Sequence, residues 1–117
     1  MILKRAEELG RLVGQSEEYQ ALKRTNDRLM ADAALTASLE RLQRLQLEIA
    51  EKLDRGEAPP PQAREETDRV MSTVQASPLY QGIVVAQTAF DKLMGRVNDQ
   101  ILEGIKLGAE SRIITLA

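Results

Sequence analysis

Between Ser77 and about Leu107 the chain places an apolar residue every three or four positions: Leu79, Ile83, Ala86, Phe90, Leu93, Val97 and Ile101. That spacing draws one stripe down a single helix and leaves Thr88, Asp91, Lys92, Arg96 and Asp99 off it. Ser77-Pro78 supplies the start, a hydroxyl for the first free N–H groups and then a residue with no N–H to satisfy. About thirty helical residues reach roughly 45 Å, longer than a compact domain of this size is wide. Such a helix is either a spine on which shorter helices lie or an arm that a partner covers. Its segment Ile83-Val84-Val85-Ala86 is apolar all round, which predicts cover from more than one side. The β-propensity of Gly82 to Ala86 would allow a strand, but the helical period runs straight through it.

Four shorter helices precede this one. Ile2, Ala6, Leu9 and Val13 share a face of the first, which Gly14 ends. Ser16 caps the second, with Glu17 and Glu18 favoured by the dipole in its first turn. Its apolar line is Tyr19, Leu22, Asn26, Leu29 and Met30, with Asn26 at the edge of the core or, less simply, a polar register-setter. Asp32 caps the third, where Leu35, Leu39, Leu42, Gln46, Ile49 and Leu53 form a coiled-coil-like seam that Leu45 widens. Gly56 stops it. Leu47 lies off the seam beside Gln43 and Glu51. The prolines of Glu57-Ala58-Pro59-Pro60-Pro61 make a stiff connector, and Thr67, Val70, Met71 and Val74 form the inner face of the fourth helix. The sequence therefore predicts a single all-α domain over residues 1–117, an antiparallel bundle with helices near 2–13, 17–30, 33–55, 61–76 and 78–107. The tail 109–117, with Ile113 and Ile114, has no helical stripe and either packs back, docks elsewhere or frays.

Composition narrows the chemistry. At 43% hydrophobic and 29% charged residues the chain is a folded rather than a disordered one. It has no cysteine and no histidine, which removes disulfides, thiolate nucleophiles, the commonest general base and the usual zinc and iron–sulfur ligands. The adjacent pairs Glu7-Glu8, Glu17-Glu18 and Glu65-Glu66 point in different directions on a helix, so none is an acid–base couple. No glycine-rich phosphate loop is present. Magnesium held by carboxylates alone would need a spacing that the acidic residues do not show. Lys23, Arg24 and Arg28 make a modest basic patch, broken by Asp27, without aromatic platforms for bases, on a chain of net charge −2. Neither direct nucleic-acid contact nor enzyme activity is expected, and no metal or cofactor. Lacking a signal-peptide core or a membrane-length apolar run, the protein is expected in the cytoplasm.

One set of residues carries a family resemblance. Ser16-Glu17-Glu18-Tyr19 with Leu22-Lys23, then Leu29, Asp32 and Leu45-Gln46, are followed by Ser77-Pro78-Leu79-Tyr80, Ala86-Gln87, Leu93, Val97-Asn98 and Ile101. In this order and spacing, from about Ala6 to Ile105, the chain resembles the YlbF/YmcA family of small helical bacterial regulators. All are caps or core positions, so their arrangement rather than any single motif makes the likeness. The resemblance implies a non-enzymatic helical regulator that associates with itself or with related subunits. In Bacillus-type bacteria such proteins act in competence, sporulation and biofilm development, within a complex that helps a membrane-anchored ribonuclease mature its transcripts. The iron–sulfur clusters associated with that complex are held through cysteine, so no ligand position carries over to this chain.

The function expected is thus protein–protein adaptor work, with the chain itself (as a homodimer or larger), related regulatory subunits or a ribonuclease complex as partners. The alternative is a purely structural homo-oligomerisation module. The contact residues expected are those outside the core stripes: Leu47, Val84, Val85, Ile113 and Ile114. Gly104, Gly108 and Ala109 would let another helix approach closely, unless they only mark fraying.

Overall fold

The computed structural model describes the backbone of residues 1–116 and the side chains of residues 1–110. Five helices follow one another: α1 (Ile2–Gly14), α2 (Glu17–Ala31), α3 (Ala33–Asp54), α4 (Pro61–Ala76) and α5 (Pro78–Leu116). No strand occurs among the described residues, so the class is all-α.

Local chemistry sets most boundaries. Ser16 Oγ accepts from Tyr19 N at 3.1 Å and donates to Val13 O at 2.6 Å, closing α1 and opening α2 with one side chain. Asp32 Oδ1 accepts from Leu35 N at 2.9 Å, and Ser77 Oγ from Tyr80 N at 3.3 Å. The corners at Ser16 and Ser77 share a construction legible as a repeat, Ser-x-x-Tyr-Gln. In each, the glutamine reaches back six residues: Gln20 Nε2 donates to Gly14 O and Gln81 Nε2 to Gln75 O. At the end of α3, Gly56 takes φ +75, and Gly56 N donates to Leu53 O and Glu57 N to Lys52 O. These are the two bonds of a Schellman stop. Pro61 then stands in the first turn of α4, where no N–H is needed.

Paired residues reveal the topology. Tyr19 lies against Phe90 with ring centroids 5.8 Å apart, and Thr25 approaches Gly82. Leu35 and Thr73 line one recess, and Arg41 bonds Glu66. As numbers climb on one side they fall on the other. The segments α2–α3 and α4–α5 are therefore two antiparallel arms of a long hairpin closed by the proline loop. The molecule measures 69 × 37 × 20 Å. Its radius of gyration is 21.7 Å, against about 13 Å for a compact chain of this length.

The core is correspondingly thin. Leu22, Leu35, Leu45, Val74 and Ala86 are its buried hydrophobic residues, contributed by α2 to α5, and α1 buries none. The inner face expected for α4 is the one it uses, with Val74 buried and Thr67, Val70 and Met71 half-buried. The third helix is rotated from the expected seam. Leu45, 1% exposed, occupies the centre while Gln46 and Leu53 face solvent, because burying the amide of Gln46 without a partner would cost free energy that Leu45 does not. On α2, Thr25 takes the inner position and donates to Ala21 O at 2.6 Å, whereas Asn26 and Met30 are exposed.

The last helix also runs further than its stripe. Instead of ending near Leu107 and leaving residues 109–117 as a separate tail, it continues to Leu116. An isolated Gly108 costs a helix only about 1 kcal/mol, and no proline follows to stop it.

Candidate interaction surface

Three of the five residues singled out from sequence are described: Leu47 on α3, and the neighbours Val84 and Val85 on α5. Leu47 lies in the half of α3 nearer the proline loop and is 58% exposed. Val84 and Val85 lie in the first half of α5, and Val85 is 70% exposed. Cover from more than one side, expected for Ile83 to Ala86, is therefore incomplete in the single chain: Ala86 is buried, but its two preceding valines are not. The side chains of Ile113 and Ile114 lie outside the described residues.

Val85 borders a groove of about 520 Å³ between α2 and α5 whose floor is built from small residues, Ala21, Thr25, Gly82, Ala86 and Ala89. The close approach of the helices explains the floor: a Cβ on Gly82 would meet Thr25 Cγ2 at 3.7 Å. Such a floor accepts apolar side chains from outside and offers them no charge.

Another groove lies at the open end of the hairpin. There α1 runs beside the second half of α5 without closing on it. Among the described residues, no Cα of α1 comes within 8 Å of one in α5. Between them is a groove of about 490 Å³, lined by Leu9 and Val13 on one wall and Phe90, Met94, Val97 and Ile101 on the other. A second groove, of about 540 Å³, also borders Leu9, Val97 and Ile101. Ile2, Leu3, Leu12, Leu102, Ile105 and Leu107 are exposed around them. Sequence reasoning places the stripe residues here in the core, because periodicity identifies an apolar face without saying what covers it. The length of the last helix carries the missing signal, since four shorter helices cannot flank all of it.

Among the described residues one ion pair joins two helices, at the loop end. Arg41 Nε donates to Glu66 Oε1 at 2.7 Å, joining α3 to α4 across a part-exposed surface. That hydrogen bond, outweighing the opposing effect of burial, holds the Glu66 carboxyl below its ordinary range, with help from the charges of Arg41 and Arg69. It likewise raises Arg41, aided by the charges of Glu66 and Glu48. The pair joins two helices, and Glu66 also borders a recess of about 340 Å³ with Ser38, Arg69, Val70 and Thr73. No cluster of three or more His, Cys, Asp or Glu side chains that could hold a metal ion occurs among the described residues. No helix there is long and apolar enough to cross a membrane. The described surface carries exposed apolar area along α1 and α5.

Comparison with known proteins agrees in extent with this architecture. The family described as "Control of competence regulator ComK, YlbF/YmcA" matches residues 2–106, from α1 well into the distal part of α5. A UPF0342 protein of Alkalihalophilus pseudofirmus is 26% identical over 102 residues, covering 87% of this chain and 86% of that relative.

Proposed function

The chain belongs to the YlbF/YmcA family, whose description is the control of the competence regulator ComK, and from that premise we propose that it is a non-enzymatic regulatory adaptor. It works in the cytoplasm through protein–protein contacts, with related regulatory subunits or a ribonuclease complex as partners, and so modulates RNA processing and developmental control. The observation that carries this is the exposed apolar surface, including Leu47, Val85 and the grooves along α5. Large exposed apolar patches on folded chains mark contact with other proteins.

The test is deletion in the native bacterium followed by transcript-end mapping and competence assays. Expected are altered RNA ends and altered competence, rescued by the wild-type chain and not by Leu47→Glu or Val85→Glu variants that retain helicity. Unchanged transcripts and development after deletion would overturn the adaptor role. They would favour a purely structural homo-oligomerisation module, which the coreless open end of the hairpin also supports.

A further inference from the structure

The groove between α2 and the first half of α5 has an apolar floor and a basic rim. From Pro78 to Phe90 the last helix carries no charged residue. Its first charge, Asp91, accepts a hydrogen bond from Gln87 Nε2 at 2.9 Å. Gly82, Ala86 and Ala89 form the base of the trough, and Val85, 70% exposed, stands at its edge. A surface helix ordinarily turns charged residues outward. Here the exposed positions of the same stretch include Gln81, Val84, Val85 and Thr88.

The opposite wall supplies the charge. Arg28 continues the row of Ala21 and Thr25 by one helical turn, and Arg24 stands beside it. Both are exposed, and among the described residues neither forms an ion pair. Asp27 falls off that row. At the other end, where α2 begins with Glu17 and Glu18, Lys92 and Arg96 continue the row of Val85 and Ala89. Charges balance there, so the excess is positive and centred on Arg24 and Arg28. The floor from Pro78 to Ala89 rises about 17 Å, or roughly three turns of helix. Its small residues let another helix axis approach to about 8–10 Å. Both walls are helices, so an extended peptide finds no backbone edge to pair with. A single-stranded nucleic acid would meet the cations but no aromatic face for its bases, since the groove is lined by none.

We propose that this groove docks an acidic amphipathic helix of a partner protein. Its apolar side chains, at i, i+4 and i+7, lie on the small-residue floor against Val85, and its carboxylates meet Arg24 and Arg28. This deepens the adaptor role by naming the chemistry of a partner, and it rests on the premise that exposed apolar surface serves protein contact.

The probe is a fluorescein-labelled helical peptide of about four turns with leucines at i, i+4 and i+7 and glutamates on both flanks. Its counterpart carries lysines on the flanks. In anisotropy titrations with the full chain the glutamate peptide should bind at least about tenfold tighter, and the preference should shrink as salt screens the charges. Arg24→Glu combined with Arg28→Glu should reverse the preference, a gain of binding that only a folded groove can give. Val85→Glu should abolish binding with helicity retained, and Leu47→Glu should leave it unchanged. Equal binding of the two peptides, binding of neither, or a glutamate-peptide affinity unmoved by the arginine changes would overturn the proposal. So would displacement of the peptide by oligouridine RNA, which gives the cations to nucleic acid. A chain mass that halves in light scattering on Val85→Glu gives the groove to a second copy, and overturns it as well. None of these failures touches the transcript-end test of the adaptor role, and unaltered transcripts leave the peptide affinities as they are.

Discussion

The loop end and the open end of the hairpin are built from the same kinds of helix and differ in closure. At the loop end α3 and α4 touch along their length. Leu45 and Val74 are almost fully enclosed, and the Arg41–Glu66 bond ties the pair from outside. At the open end α1 and the second half of α5 carry stripes of similar quality yet leave a groove between them. Amphipathic pattern is therefore enough to make helices and to aim them, but not to bring them together. Closure at the loop end comes from the six-residue connector and its buried Pro59, which hold the two arms at packing distance. Among the described residues no connector holds α1 to the distal part of α5, and the two stay apart.

The sharpest way to break this contrast is truncation on each side. Leu45→Ala should lose about 2–5 kcal/mol in a urea titration, the cost of deleting a buried leucine and leaving a cavity. Ile101→Ala should cost clearly less at concentrations where chains are separate. If it costs as much when chains are concentrated, the open end is buried in an assembly.

Next in size are the caps. Asp32→Ala should cost about 1 kcal/mol by freeing Leu35 N. Thermal unfolding followed by circular dichroism should show one cooperative transition lowered, because Asp32 joins the two stretches that hold the core.

Glycine replacement tests whether the two ends melt together. Gly82→Ala and Gly95→Ala both remove helix-interior glycines. The first meets only an ordinary contact with Thr25 and the second meets nothing, so each should stabilise by about 0.5–1 kcal/mol. A gain at Gly82 without one at Gly95 in denaturant titrations would show the open end melting separately.

The smallest effect is electrostatic and confined to the loop end. Glu66 has a folded-state pKa below its ordinary value of 4.5, so the folded protein binds fewer protons there than the unfolded chain does. The stabilisation is fully present above the ordinary value and is lost as pH falls through the lowered one. Glu66→Gln should therefore differ from wild type in urea midpoint at pH 7, and the difference should shrink at pH 3. A difference that grows on acidification would mean that the ion pair with Arg41 is not its source.

Features decided within a few residues are legible in the amino-acid sequence: Ser16, Asp32, Gly56, Pro61 and Ser77 each act where their local pattern places them. The choice of Leu45 over Gln46 is not, since Leu35-Leu39-Leu42-Gln46 keeps perfect spacing and only the position of α4 shows which side is enclosed. At the surface, Leu47 is visible as a residue off its stripe. Met94 and Ile105 are not, because neighbouring residues on a long amphipathic helix look like core until the number of helices available to cover them is known.

The breaks at Asp32 and Ser77 sit at one level, bordering the same recess of about 200 Å³. Each arm of the hairpin is interrupted there by a residue with extended backbone, φ −95 and ψ 96 at Asp32 and φ −72 and ψ 122 at Ser77. A beam yields where both its flanges are cut opposite each other. Side-chain bonds from Thr36 to Leu29 O and from Gln81 to Gln75 O span the two breaks. The angle between the two tips is set at these two residues rather than within either arm.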